Sequence, residues 1–350
     1  MNNANSLVIA KQVWFESPHI IDVKQQQLPA LSTNELLIHV NYSAISAGTE
    51  MLVYRGQIPA EMTLDDNISA LQGQPDYPVQ YGYACVGEVE QIGVDVDSRW
   101  LGKRVFAFQP HASHFITSAD ALIEIPSDIS LEAALFLPNM ETAVNLIQDG
   151  APALGERALV LGQGIVGLLL SALLAQFPLA QLYVLDALAL RRARALQLGA
   201  TQAFDPFCGA DVCELKHNLD ALENNKGADL IYEVSGAPAA LNLAIDCSGF
   251  TSRIVIGSWY GNKSAPIMLG GDAHRNRLKI ITSQVSRIDP QLSGRWDKAR
   301  RFDLVWDMIR RVKPEQFISH RASVGDAPSI YAQLDQAPQE VLQAIFTYSN

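Results

Sequence analysis

Three glycines and one aspartate carry the most legible chemistry of this chain. Gly162, Gly164 and Gly167 stand in the run GQGIVG, after the apolar segment Ala158–Leu161 and before the apolar segment Ile165–Phe177, which stops at Pro178. A second apolar run, Leu182–Leu185, ends on Asp186. The order predicts strand, glycine turn, helix, strand, acid. In that arrangement Gly162 permits a tight turn and Gly164 lets backbone approach a pyrophosphate. Gly167 lets helix and strand pack closely, while the helix start at Ile165 and Val166 faces the phosphate charge. Asp186 lies 19 residues beyond Gly167, where a carboxylate accepts hydrogen bonds from ribose hydroxyls. The bland alternative is an ordinary glycine turn in a βαβ unit. Flanking strand, helix and acid together favour a dinucleotide site. A carboxylate at the ribose repels the 2′-phosphate of NADP, so NAD is the expected cofactor. Arg191, with Arg192 and Arg194, keeps NADP open, although on a helix these are also ordinary solvated residues.

The elements that must position this motif alternate along the chain. Leu190–Leu198 reads as a helix closed by Gly199, Leu230–Val234 as a strand ending at Ser235 and Gly236, and Ala239–Ile245 as a helix. Arg253–Gly257 and Lys279–Thr282 read as further strands, and the alternation predicts a parallel sheet with helices on both faces. Ser235 and Gly236, on the adenosine side, with Ser258 and Ser283 at later strand ends, are cofactor-lining candidates by topology. Before the motif the chain reads as β-rich, with short runs at Leu36–Val40, Ala84–Ile92 and Arg104–Phe108. Thr63–Asp76 is polar and reads as a loop or short helix. Helical character begins near Ser130, at Leu131–Phe136 and Thr142–Ile147, with Asn139 as an N-cap. Beyond Ser286 a helix at Asp303–Arg311 and short strands near Ser319–Ala322 and Ala344–Thr347 return to the N-terminal region.

Composition narrows the function classes. The 350 residues suffice for two domains, and 48% hydrophobic content marks a globular chain. With 37 acidic and 26 basic residues the net charge is −11, which disfavours nucleic acid and anionic membranes as partners. No basic-then-apolar leader opens the sequence, and Ile165–Phe177 is too short to span a bilayer. Cys85, Cys208, Cys213 and Cys247 are scattered with no CxxC pair, which suggests a reducing, cytoplasmic setting.

Nearly the whole chain resembles the medium-chain dehydrogenase/reductase superfamily, whose zinc-type alcohol dehydrogenases are best known. The segments that carry the resemblance are NYSAISAGTEMLVYRG, YGYACVGEVEQIG, GKRVFAF, GQGIVG and LQLGA. AISAGTE and the later GSWYG…HRNRLKIITSQVS…RWDKARR are most similar to a branch that includes bacteriochlorophyllide-type dehydrogenases. The resemblance implies an α/β protein. A GroES-like β domain is built from residues 1–127 and 286–350, and a Rossmann doubly wound parallel sheet from residues 128–285. It also implies a small-molecule substrate, and the expected assembly is a homodimer.

Departures from the family pattern bear on mechanism. Zinc-dependent members carry a Cys-Gly-(Ser/Thr)-Asp segment, which falls here on Ala47, Gly48, Thr49 and Glu50. Their Gly-His-Glu falls on Gly82, Tyr83 and Ala84, and their third ligand falls near Leu137. Catalytic zinc needs three ligands from Cys, His or carboxylate, so no zinc is expected. Another group must then stabilise a substrate alkoxide. Tyr83 stands in a ligand's place, as an acid or merely as filler. Glu50 keeps the acid of the lost segment, as a base or as a structural acceptor. Tyr54 lies where family members place substrate-facing side chains. His111 is a candidate for substrate contact, and a metal pair with His114 is the less favoured option. Glu141 or Thr142 could border the nicotinamide. Arg275, Arg277, Arg287, Arg295, Arg300 and Arg301 form a basic cluster that would suit an anionic substrate, an interface or plain salt bridges. The expected function is hydride transfer between a nicotinamide and an alcohol/carbonyl pair. The alternatives are reduction of activated C=C bonds and a cofactor-binding sensor without turnover.

Overall fold

Helices pack against parallel strands in one part of the chain, while antiparallel strands dominate the other. The computed structural model describes residues 8–65, 68–220 and 226–348. These form two compact units, residues 1–137 with 313–350, and residues 138–312. The boundaries thus fall at 137/138 and 312/313, against the expected 127/128 and 285/286.

In the first unit β1 (Ile9–Ser17) and β2 (Ile20–Gln27) form a hairpin. Then come β3 (Glu35–Ala44), α1 (Ala47–Tyr54), β4 (Cys85–Ile92), β5 (Arg104–Ala107), β6 (His114–Ser118), β7 (Leu122–Glu124) and α2 (Leu131–Ala134). Of the Thr63–Asp76 stretch, residues 66–67 lie outside the described residues, and a short 3₁₀ turn covers Ser69–Leu71.

The second unit opens with α3 (Leu137–Gly150) and β8 (Arg157–Leu161), followed by α4 (Ile165–Leu174), β9 (Gln181–Leu185), α5 (Ala189–Gln197) and β10 (Gln202–Phe204). It continues with α6 (Gly209–Leu219), β11 (Ala228–Glu233), α7 (Ala240–Cys247), β12 (Ser248–Ile256), β13 (Lys279–Thr282) and α8 (Lys298–Val312). The chain returns to the first unit with β14 (Ile318–Ser323), α9 (Ala327–Gln336) and β15 (Gln343–Thr347). The return therefore begins after α8 and not at Ser286. The apolar residues Val305, Trp306 and Ile309 of α8 are buried, so this helix belongs to the second core.

All six strands of the second unit are parallel, in the order β10-β9-β8-β11-β12-β13. Every residue of β8 is buried, because a parallel strand covered on both faces reads as a continuous apolar run. Strand order reverses between β8 and β11. In sheets of this kind right-handed crossovers place helices on opposite faces, and ligands bind in the crevice outside the C-terminal strand ends at such a reversal. The first unit's sheet runs β14-β15-β3-β4-β5-β7, with β6 also on β3. Among the described residues no helix is long and apolar enough to cross a membrane.

Candidate functional site: a dinucleotide crevice and a hydroxyl cluster

The three motif glycines are required for different reasons. Gly162 has φ of 95°, and a Cβ there would lie 2.5 Å from the Cα of Ser235. At Gly167 a Cβ would lie 2.0 Å from the carbonyl oxygen of Gly162. Both are fixed by the protein's own packing. Gly164 is not: its Cβ would meet nothing nearer than Arg191 Nη1, at 4.0 Å. That glycine leaves room at the start of α4. Gly164 is also the N-cap and makes no side-chain cap bond. The Leu168 N–H closes the first turn on the Gly164 carbonyl at 2.9 Å, so the amides of Ile165 and Val166 have no intrahelical acceptor. A helix start with open donors and open space fits a pyrophosphate.

Asp186 follows β9 and is 8% exposed. Its Oδ2 accepts from the Gln163 amide at 2.7 Å and its Oδ1 from the Leu188 amide at 2.8 Å. The carboxylate thus braces the glycine turn, and each oxygen keeps a lone pair for a ribose hydroxyl. Arg191 Nη1 lies 3.8 Å from Asp186 Oδ2, beside the space at Gly164. Arg192 is committed elsewhere: it donates to the carbonyl of Asp186 and pairs with Asp205 at 3.0 Å.

Across the switch point, the Gly236 amide donates to Ser258 Oγ at 2.8 Å, and Lys263 Nζ donates to the Gly236 carbonyl at 2.9 Å. Ser283 Oγ accepts from Asn145 Nδ2 at 2.8 Å, which ties the end of β13 to α3. Glu233, absent from the sequence candidates, is fully buried at the end of β11. An acid closing the apolar run LIYE was the available signal.

Several expectations for the second unit change. Asn139 is not an N-cap, because α3 begins two residues earlier at Leu137 and Pro138 suits a first helical turn. Thr142 Oγ1 donates to the Pro138 carbonyl within that helix. Glu141 is buried against Lys298 at 2.6 Å and Arg301 at 3.4 Å. Arg301 is itself fully buried, so it leaves the basic cluster and becomes a core ion pair.

The first unit holds the other candidates. Tyr83 hydroxyl bonds to Ser46 Oγ and donates to Thr49 Oγ1 at 3.3 Å. Burial of the phenol raises its pKa above the usual value, against the lowering effect of the Ser46 and Thr49 bonds and aided by the Glu50 charge. Tyr83 therefore keeps its proton. Ala47 stands at the start of α1, and Leu137 is fully buried. The three positions that the resemblance assigns to zinc ligands thus offer a methyl, a phenol and an isobutyl group. That donor set does not fit a tetrahedral metal.

Glu50 is fully buried. Its Oε1 accepts from the Ser46 amide at 2.7 Å, and its Oε2 from Tyr331 hydroxyl and from His111 Nε2 at 3.0 Å. Since the carboxylate only accepts, His111 carries a proton on Nε2. His111 Nδ1 meets Ser43 Oγ at 2.7 Å, and Ser43 meets Tyr348 hydroxyl at 2.6 Å. With a neutral imidazole all donors run one way, from Tyr348 through Ser43 and His111 to Glu50. Gly82, at φ of 115°, makes room for that ring: a Cβ would lie 2.7 Å from it. His111 and His114 do not converge. His114 opens β6 and faces Glu90 at 3.7 Å and His39. Tyr54 is buried and stacks on Tyr331 with ring centroids 5.7 Å apart, so its ring is part of the core.

Sheet order and glycine turn together define a Rossmann-type dinucleotide-binding architecture. Comparison with known proteins refines the class. The family model described as zinc-binding dehydrogenase matches residues 166–302. D-guloside 3-dehydrogenase of Escherichia coli K12 is 24% identical over 97% of this chain and 100% of its own length. Among solved structures, 2R,3R-butanediol dehydrogenase from Bacillus subtilis superposes with a TM-score of 0.78 at 18% identity, covering 97% of this chain and 100% of that one. An alcohol dehydrogenase from E. coli CFT073, solved with NADH, gives 0.77 at 18% identity, covering 97% and 99%. Residues 166–302 thus match the zinc-binding dehydrogenase family model, and the chain as a whole is similar to alcohol and polyol dehydrogenases.

Proposed function

We propose that this NAD(P)-dependent oxidoreductase passes hydride between the nicotinamide and an alcohol/carbonyl substrate without a catalytic zinc, with the Tyr83 hydroxyl as proton donor. The observation that carries the reading is the trio Tyr83, Ser46 and Thr49, standing where the family resemblance puts a metal ligand. When bound, the cofactor supplies or accepts the hydride. The protein's task is to hold the dinucleotide and to manage the oxygen left negative by hydride delivery. Ile165 and Val166 amides would take the pyrophosphate and Asp186 a ribose diol, which favours NAD over NADP. A phenol kept neutral by burial is suited to donate to an alkoxide. The Thr49 bond is long at 3.3 Å, so redirecting that proton costs little. The same raised pKa keeps the phenol protonated near neutral pH, so its hydrogen-bond donor is in place when a carbonyl is reduced. The curated relative named as a guloside dehydrogenase supports an alcohol/carbonyl pair over an activated C=C bond.

Elemental analysis of the purified protein, with NADH-oxidation assays on matched carbonyls and enones, tests this reading. Substoichiometric zinc and turnover of carbonyls are expected, with chelator leaving the rate unchanged. One tightly held zinc per chain, lost together with activity, would overturn the metal-free mechanism. Turnover confined to enones would move the chemistry to C=C reduction.

A further inference from the structure

The carboxylate of Glu233 is the strongest feature that the proposed function leaves unused. It ends β11, in register between Leu161 of β8 and Ile256 of β12, so it sits at the switch point itself. Its backbone joins both neighbours: its carbonyl accepts from the Gly257 amide at 2.9 Å, and the next amide, of Val234, donates to the Leu161 carbonyl at 2.9 Å. Its side chain reaches beyond the sheet. Oε1 accepts from the Ser235 amide at 2.8 Å and from the Ser235 hydroxyl, and Oε2 accepts from Tyr260 hydroxyl at 2.5 Å. Burial, and then the bond and charge of Glu233, push the Tyr260 phenol well above its usual pKa, so it stays a donor.

Two crevice turns therefore hang on one carboxylate. Ser235 lies against the first motif glycine, where a Gly162 Cβ would be 2.5 Å from its Cα. Tyr260 belongs to the turn after β12, which also carries Ser258, the acceptor for the Gly236 amide. A buried carboxylate is costly unless hydrogen-bonded, and an apolar side chain would close a strand end more cheaply. What the acid adds is order in these turns.

We propose that Glu233 is a positioning residue: through Ser235 and Tyr260 it holds the two lips of the crevice in their dinucleotide-binding arrangement, and so sets cofactor affinity. This rests on the reading that NAD(H) or NADP(H) binds at the glycine turn. Pre-ordered turns spare the complex the entropy of ordering them on binding.

Full-length protein titrated with NADH, followed by nicotinamide fluorescence and thermal melting, tests the clamp. Tyr260→Phe removes one bond and leaves the acid bonded to Ser235. It should raise the NADH dissociation constant roughly threefold or more while the cofactor-free melting temperature holds. Glu233→Gln, which forces a donor against donors, should raise it roughly tenfold or more. NADH-dependent KM should rise in parallel while kcat at saturating NADH stays within about threefold. Unchanged NADH affinity in Tyr260→Phe, which retains the buried acid, would overturn the clamp even if Glu233→Gln failed to fold. If wild type bound neither NADH nor NADPH, the cofactor reading itself would fall.

Discussion

Glu50 of the first unit and Asp186 of the second are buried carboxylates used in opposite ways. In the first, Glu50 receives the Ser46 amide, Tyr331 hydroxyl and His111, with Ser43 and Tyr348 behind them. Every donor comes from the protein, so the network is closed. In the second, Asp186 braces the glycine turn with one lone pair per oxygen still unclaimed, and α4 begins with open amides beside the space at Gly164. A fully buried carboxylate held by three protein donors is framework, whereas one beside open space with a lone pair left on each oxygen suits a ligand. By this criterion Glu50 and His111 position α1 and its Ser46, and Tyr83 remains the group proposed to act on substrate.

That contrast breaks most visibly at Glu50. Glu50→Ala strands three donors in the interior and should cost roughly 3 kcal/mol or more, at about 1–3 kcal/mol per unsatisfied group. Urea unfolding followed by tryptophan fluorescence measures it. A loss below about 0.5 kcal/mol, the scale of ordinary surface changes, would mean the network is not closed. The two halves of the glycine motif sharpen the comparison within the second unit. Gly167→Ala places a methyl on the Gly162 carbonyl and should cost about 1–3 kcal/mol, as overpacking does. Gly164→Val, by contrast, meets open space, so stability should hold while NADH binding weakens at least about tenfold, or about 1.4 kcal/mol. Equal effects of the two substitutions on binding and stability would erase the distinction between packing glycine and cradle glycine.

Much of the second unit was legible because parallel strands are continuous apolar runs and the glycine turn has a spacing. β8, β9 and β12 lie where Ala158–Leu161, Leu182–Leu185 and Arg253–Gly257 placed them, within a few residues. The first unit was harder to read. The hairpin β1–β2 went unseen because Lys24 to Gln27 are polar on both faces. α8 was assigned to the wrong unit because an amphipathic stripe shows that a helix packs, and not which core it packs on. The network around Glu50 draws on residues 43, 46, 111, 331 and 348. No local pattern joins positions so far apart. Tyr83 could be singled out by comparison with a family pattern, but its bonds to Ser46 and Thr49 could not.

The central claim is that a neutral phenol does the work a metal does in zinc-dependent relatives. The direct measurement is the pH profile of kcat for carbonyl reduction by wild type and Tyr83→Phe, with cofactor saturating and chemistry rate-limiting. Because burial raises the Tyr83 pKa, its donor form persists beyond the ordinary tyrosine value of 10.0, so wild-type activity should show no loss from this group up to that pH. Tyr83→Phe should lower kcat by roughly 10²-fold or more, the size of a lost acid or oxyanion donor, with NADH affinity unchanged. A variant within about threefold of wild type across the profile would contradict the account, because Tyr83 would then only fill space.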